Sequence, residues 1–352
     1  MERVRYLEPQ EKQKTRGMYE QIFSEDTKEF VDYYYKWKTK DNRILVLEEA
    51  GIPEVMMHLN PYTLWIHGHL RKVPYIVAVA THQDCRRQGK MGRVMEWALQ
   101  DLAQQQAPFT FLLPADPAYY RGQGFVFFPC QNLQESFLGK GTEKKLFPDL
   151  QWQKAEAVDI PEMVEFSNNI LQEKYHIFVK RDAQYYQRLF AETKAERGGV
   201  LLLKEVSAKE PRCARGEEES RLKGILVYGV EQQKAEIQEL LIEAQDSGNK
   251  TKLCREALPE LEITYGEFPM MVRIANLREF VSLMKSEKAC CYEIKVKDEM
   301  VPSNCGCFRI EVLKDGGRIQ EISQEKVKEE IDIQKLAEML LGDTCVYLKE
   351  WV

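Results

Sequence analysis

Apolar positions recur along this chain with two periods, and the switches between them mark out its elements. Across residues 24–37, Phe30, Tyr33, Tyr34 and Trp37 fall at helical spacing, an aromatic face expected to pack on a sheet. Residues 43–48 read as a strand, followed by a predicted turn at 51–53. Residues 64–69 alternate, which predicts a strand with Trp65, His67 and His69 on one face. With no third ligand in evidence, that histidine pair is expected to pack or to line a pocket rather than bind metal. Residues 75–80, YIVAVA, form a continuous apolar run, as in a strand covered on both faces. Met91, Val94, Met95, Ala98 and Leu102 then predict an amphipathic helix, and residues 109–113, FTFLL, a second buried strand. Strand, loop, helix, strand is a βαβ unit, and its loop leaves the carboxyl end of the first strand, where such sheets bind ligands.

Beyond residue 150 the pattern changes. Asp159, Pro161 and Glu162 mark a helix start. Strands are predicted over 200–204 and 225–230, flanking a charged insertion that reads as a surface loop. A third region begins near Phe268. Asn276 with Glu279 resembles a capping box ahead of the stripe Phe280, Val281, Met284. Phe308, Ile310 and Val312 alternate before a predicted hairpin turn at 315–317. Asp332 is placed to cap a helix through Ile333, Leu336, Ala337 and Leu340, which Gly342 ends, and residues 345–348, CVYL, look strand-like. The domain division expected from these changes is 1–150, 151–266 and 267–352.

Composition narrows the classes. The 352 residues are too many for one core, and 44% hydrophobic with 30% charged residues is ordinary for a soluble globular protein. No apolar run reaches the roughly 18 residues of a membrane helix, and the charged start MERVRYLEPQEKQK lacks a signal-peptide core. Nine cysteines without a regular framework suit a reducing compartment, so a cytoplasmic location is expected. Cys290–Cys291 and Cys305–Cys307 lack C-x-x-C spacing and a nearby histidine, so the expected role is structural and no metal is predicted. Net charge is −6 with mixed signs and no basic stripe; no nucleic-acid partner and no membrane are expected.

The chemistry concentrates in residues 79–95, VATHQDCRRQGKMGRVM. Val79, Ala80 and Thr81 end the buried strand. Arg86, Arg87, Gly89, Lys90, Met91 and Gly92 form a loop at a helix start, with two glycines and three cations. The first turn of a helix carries unsatisfied N–H donors and partial positive charge, which suits a pyrophosphate. Gly89 allows close backbone approach, and Arg86, Arg87 and Lys90 offer charged donors. A P-loop requires Ser or Thr after Gly-Lys, and Met91 stands there; a dinucleotide loop requires G-x-G-x-x-G, which is absent. Cys85 and the other cysteines lack a partner base, so no covalent intermediate is expected.

This loop resembles motif A of the GNAT acetyltransferases, Arg/Gln-x-x-Gly-x-Gly/Ala, with Arg86 and Gly89 in register and Met91 in place of the last small residue. That departure is typical of the Eis-like branch. Residues 114–120, PADPAYY, leading to Gly124 and Phe125, are similar to the family's catalytic tyrosine segment. HLNPY at 58–62 and FPMMVRIAN at 268–276 extend the likeness along the chain. The resemblance implies an α+β, mixed-sheet GNAT fold: a catalytic GNAT domain, a degenerate second GNAT-like domain and a sterol-carrier-protein-like C-terminal domain. The middle region lacks an Arg-x-x-Gly loop, as a non-catalytic copy would.

The resemblance also implies acetyl-CoA as acyl donor and transfer to a primary amine by direct attack in a ternary complex. Alignment on Gly124 implies Tyr120 as the catalytic acid, although by residue type Tyr119 would serve equally. It implies the C-terminal carboxylate of Val352 as general base, a backbone N–H near 79–81 as oxyanion donor, and a homo-oligomer, a hexamer. Two other classes stay open on the residues alone. One is a non-catalytic regulator binding CoA or an apolar ligand; the other is aminoacyl transfer from a charged RNA, against which the acidic balance argues.

Overall fold

The sequence folds around long strands whose residues are buried on both sides. The computed structural model describes residues 2–129, 150–206, 220–243, 250–342, 344–350 and 352. In chain order the first part comprises β1 (Arg3–Tyr6), α1 (Arg16–Ile22), α2 (Lys28–Trp37), β2 (Arg43–Glu49), β3 (Ile52–Ile66), β4 (His69–Thr81), α3 (Lys90–Gln104), β5 (Phe109–Leu112), α4 (Ala118–Arg121) and β6 (Val126–Phe127). Six consecutive residues of β3, from Val55 to Asn60, are buried, so both sheet faces are covered. Helix α2 lies within the 24–37 stretch and starts at Lys28, because the Thr27 side chain accepts from the Phe30 amide and fixes the cap there. It buries Phe30, Val31 and three successive tyrosines, Tyr33, Tyr34 and Tyr35.

Two turns differ from expectation. His67 is not a strand residue: Ile66 pairs with His69, leaving His67 (φ 47°) and Gly68 (φ 98°) as a two-residue hairpin. Such a tight hairpin needs positive φ at both central positions, which overrides the alternation of the flanking strands. Likewise Glu49 pairs with Ile52, so Ala50 and Gly51 make the turn and Pro53 lies within β3.

The middle of the chain comprises β7 (Leu150–Lys154), α5 (Ile160–Lys174), β8 (Ile177–Val179), α6 (Ala183–Ala195), β9 (Gly199–Val206), β10 (Ser220–Glu231), β11 (Lys234–Ile242), α7 (Lys250–Ala257) and β12 (Glu262–Tyr265). Apart from residues 175–180, which carry β8, residues 150–268 form a compact unit of their own. Its sheet runs β12-β11-β10-β9-β7. One core joins Ile160 and Met163 of α5 and Tyr186 of α6 to Val200, Leu202, Ile225 and Val227. A second places Cys254 and Leu258 against Leu226, Ala235 and Ile237. Most of the predicted charged insertion lies outside the described residues.

The last part comprises β13 (Met271–Ile274), α8 (Leu277–Leu283), β14 (Cys290–Lys297), β15 (Gly306–Leu313), β16 (Gly316–Glu321), β17 (Glu329–Asp332), α9 (Ile333–Leu341) and β18 (Val346–Tyr347). The Asn276 and Asp332 side chains cap α8 and α9 as expected, accepting from the Glu279 and Lys335 amides. β14 to β17 form a sheet in the order β16-β15-β14-β17; Leu313 pairs with Gly316, so the turn is at 314–315, one residue before the glycine pair.

β13 does not join that sheet. It lies between β5 and β6, antiparallel to both, in the order β1-β2-β3-β4-β5-β13-β6, to which β8 and β18 add. Residues 2–129, 175–180 and 269–352 therefore make one compact unit. Its centre holds Phe109, Phe111, Met271, Val272 and Phe280, all at most 1% exposed, and each such side chain contributes about 1.5–3 kcal/mol.

Candidate functional site

β4 and β5 start as parallel neighbours and then part. Only Tyr75–Phe111 and Ile76–Leu112 pair; β4 runs on to Thr81 with β3 alone beside it. Just past the parting, the β3 register shifts: Met56 faces Ala80 and His58 faces Val77, so Ala78 and Val79 together oppose Met57. Ala78 sits at φ 50°, a left-handed bulge residue. A bulge re-aims the backbone, and here it does so just past the last β4–β5 pair, at the strand end that carries Val79, Ala80 and Thr81.

After β4, residues 82–89 turn into α3. Arg87 (φ 60°) and Gly89 (φ 72°) are both left-handed, and a Cβ at Gly89 or Gly92 would meet nothing within 4 Å. The amide of Arg93 donates to the Gly89 carbonyl, whereas none of the amides of residues 87–92 donates to any described group. Six successive N–H groups thus face outward at the positive end of a fifteen-residue helix. The Arg87 guanidinium has no partner among the described residues, and Arg86 reaches back to the Thr81 carbonyl at 3.2 Å. Lys90 departs from expectation. Its ammonium is buried between Glu2 (2.8 Å) and Glu54 (2.5 Å), which hold its pKa above the ordinary lysine value, so only its amide faces the loop. Burial and the Glu54 carboxylate raise the Cys85 thiol above its usual range, against a nucleophilic role.

Tyr120 lies on α4, a single turn after β5. It is 8% exposed while Tyr119 is 63% exposed, and this burial distinguishes two residues that the sequence alone leaves equivalent. Its ring meets Phe125 edge-on at 5.7 Å, its hydroxyl bonds to no described group, and burial pushes it up to about 12. Two residues after α4, the Gln123 amide nitrogen lies 3.2 Å from Met91 Sδ, which brings the Tyr120 segment to the first turn of α3. Gln123 Oε1 is buried without a partner.

At the opposite end of the chain, an oxygen of Val352 accepts from Lys38 Nζ and, at 2.8 Å, from Tyr62 Oη. Tyr62 packs 6.0 Å from Tyr75, which stacks on Phe111 at 4.9 Å where β4 and β5 still pair. Val352 is thus tied through Tyr62 to the part of the sheet where β4 and β5 pair. Trp351 lies outside the described residues.

Residues 3–128 match the family described as acetyltransferase (GNAT) domain, and residues 273–348 the sterol carrier protein domain. Residues 3–128 are a GNAT acetyltransferase domain. No curated protein matches the chain. Among solved structures, a GCN5-related N-acetyltransferase of Kribbella flavida aligns over 100% of both chains at TM-score 0.71 and 12% identity. A conserved Enterococcus faecalis protein of unknown function aligns over 97% of this chain and 90% of its own, at TM-score 0.72 and 16% identity. Eis1 of Mycobacterium abscessus has the same coverage at TM-score 0.66 and 12% identity. At such identities the likeness establishes a shared fold, the mixed-sheet α+β GNAT architecture with a sterol carrier protein domain at its end.

The structure places Val79, Ala80 and Thr81 at the end of β4 and Arg86, Arg87, Gly89, Met91 and Gly92 in the loop and first turn of α3 that follow; the Gln123–Met91 contact brings the Tyr120 segment to that turn. Sequence reasoning missed Lys38, Tyr62, Ala78 and Gln123. Tyr62 stands in the HLNPY stretch, which offered a signal; Lys38 sits among other lysines, and a left-handed alanine has no sequence mark. Among the described residues no group of three or more potential ligands could hold a metal ion, and no helix is long and apolar enough to cross a membrane.

Proposed function

We propose that this protein is an N-acetyltransferase that moves acetyl from acetyl-CoA to a primary amine by direct attack in a ternary complex, in the cytoplasm. The observation that carries this is the row of unspent amides at 87–92 beside the parted strands. Those donors suit a pyrophosphate, with Arg87 adding a charged contact and Gly89 permitting close approach. The slot between β4 and β5 suits the pantetheine arm, and it leads to Tyr120.

Each remaining residue meets a chemical need. An alkylammonium, with a pKa of about 10.4, must lose a proton to attack, and the carboxyl group of Val352 is assigned to receive it. An N–H of the bulged segment 78–81 is assigned to the thioester oxygen as it gains charge. The C–S bond breaks as the N–C bond forms, and the sulfur leaves as a thiolate of pKa roughly 8.5, by analogy with cysteine. Tyr120, held up to about 12, stays protonated at neutral pH and offers the sulfur a hydrogen bond. Full transfer from Tyr120, at about 12, to a thiolate of roughly 8.5 would run uphill, so stabilising the developing charge is its main service. We also assign three domains, 1–150, 151–266 and 267–352, the middle one a GNAT-like copy; its separate five-stranded sheet supports this.

The test is thiol release from acetyl-CoA across an amine panel, with wild type, Tyr120→Phe and a chain extended beyond Val352. Turnover with at least one amine, lost in the extended chain and reduced about 100-fold in Tyr120→Phe, is expected. No thiol release with any amine would overturn the proposal.

A further inference from the structure

The segment that carries Tyr120 is short and is held in part by residues outside it. α4 has four residues, too few to be stable alone, and the chain then turns sharply through Gly124 (φ 87°). Inside the segment, the Gln123 and Phe125 amides both donate to the Tyr120 carbonyl, at 3.0 and 3.3 Å. The Gly124 amide donates to the Arg121 carbonyl at 3.1 Å, and three carbonyls of the segment also accept from outside it. Gln334, on α9, donates from one amide nitrogen to two of them, the Arg121 carbonyl at 2.6 Å and the Phe125 carbonyl at 3.2 Å. One NH₂ group has two hydrogens, so both donors are spent bracketing the turn.

Arg273, on β13, takes the carbonyl between them: its Nε donates to Gln123 at 2.8 Å. The guanidinium lies so close to Gly124 that a Cβ there would fall 2.4 Å from Nε, so this contact requires the glycine. Arg273 is itself fixed, 1% exposed, with a second nitrogen on Asp298 at 2.6 Å. Asp298 also accepts from the Met300 and Val301 amides and from Asn304, so the loop after β14 is fastened to the same point. Three carbonyls of the acid-bearing turn, those of Arg121, Gln123 and Phe125, are therefore bound by residues 273 and 334, both within the stretch that matches the sterol carrier protein domain.

We propose, resting on the assignment of Tyr120 above, that Gln334 and Arg273 are positioning residues through which the C-terminal domain sets the placement of the Tyr120 segment. Neither touches reacting atoms. The GNAT domain supplies the tyrosine, and the other domain supplies its brace.

Gln334→Glu tests this, because it keeps the shape and replaces both N–H donors with an oxygen facing carbonyls. We expect kcat to fall about tenfold with KM for acetyl-CoA unchanged. Amide hydrogen exchange should quicken about tenfold across residues 118–127 while α9 keeps wild-type protection. Gln334→Lys, which restores a donor, should recover both, and Arg273→Lys, which loses the Nε donor but keeps a cation for Asp298, should behave like Gln334→Glu. Unchanged exchange at 118–127, or exchange quickened equally throughout the unit, would overturn the proposal. If Tyr120→Phe turns over like wild type, the catalytic assignment fails; the exchange data then decide alone whether the brace exists.

Discussion

Tyr120 and His58 are both buried, and burial moves their pKa values in opposite directions because their charged forms differ in sign. Tyr120 rises to about 12, so it should cause no alkaline loss of kcat below pH 10, and the loss in Tyr120→Phe should be flat across pH 7 to 9. A rate profile with a limb near the ordinary phenol value would contradict this. His58 is 0% exposed, bonded to Tyr34 Oη at 3.0 Å, and burial lowers it to about 3. Unfolded, it binds a proton near pH 6.5; folded, it does not until about pH 3. The unfolded state therefore holds the extra proton across that window, and stability falls as the pH drops through it. The slope is about 1.4 kcal/mol per pH unit from this residue. Urea unfolding at pH 6 and pH 5 should show that much more loss in wild type than in His58→Gln. Of these residues, Tyr120 was singled out in the sequence only by the resemblance, through alignment on Gly124; its burial, which sets it apart from Tyr119, left no mark there. Lys38 was not, because what makes it notable, an oxygen of Val352, lies at the other end of the chain.

At the scale of elements, β4, α3 and β5 were legible because burial on both faces and a helical stripe each leave a strong period. What escaped was the bulge at Ala78, where one extra residue stands opposite Met57 on the neighbouring strand. The loop into α3 was half legible: its glycines and arginines stand in the sequence, but the capture of Lys90 depends on Glu2 and Glu54, remote in sequence. Gly89 separates backbone from packing effects. Its surroundings are open, so Gly89→Ala costs only the left-handed conformation, about 1 kcal/mol, a fall of about 2–4 °C in Tm by thermal denaturation. Acetyl-CoA binding, measured by calorimetry, should weaken by more than that strain explains, because the new methyl stands among the outward-facing amides.

For the whole molecule, the main surprise is where β13 pairs. Nothing in FPMMVRIAN tells whether the strand joins its own following sheet or fills a gap between β5 and β6; only the register between Met271 and Leu112 and between Met271 and Phe127 does. Residues 1–129 expressed alone should therefore aggregate, since removing β13 bares two hydrophobic strand edges; size-exclusion chromatography of that fragment checks it. The brace from Arg273 and Gln334 would be lost with it.

This pairing also constrains synthesis. A ribosome must add about 145 residues past β6 before the strand that fills this sheet is even made. Until then the half-built sheet has to wait with Phe109, Phe111 and Val126 uncovered, so nascent chains halted before residue 271 should bind chaperones and the released full-length chain should not.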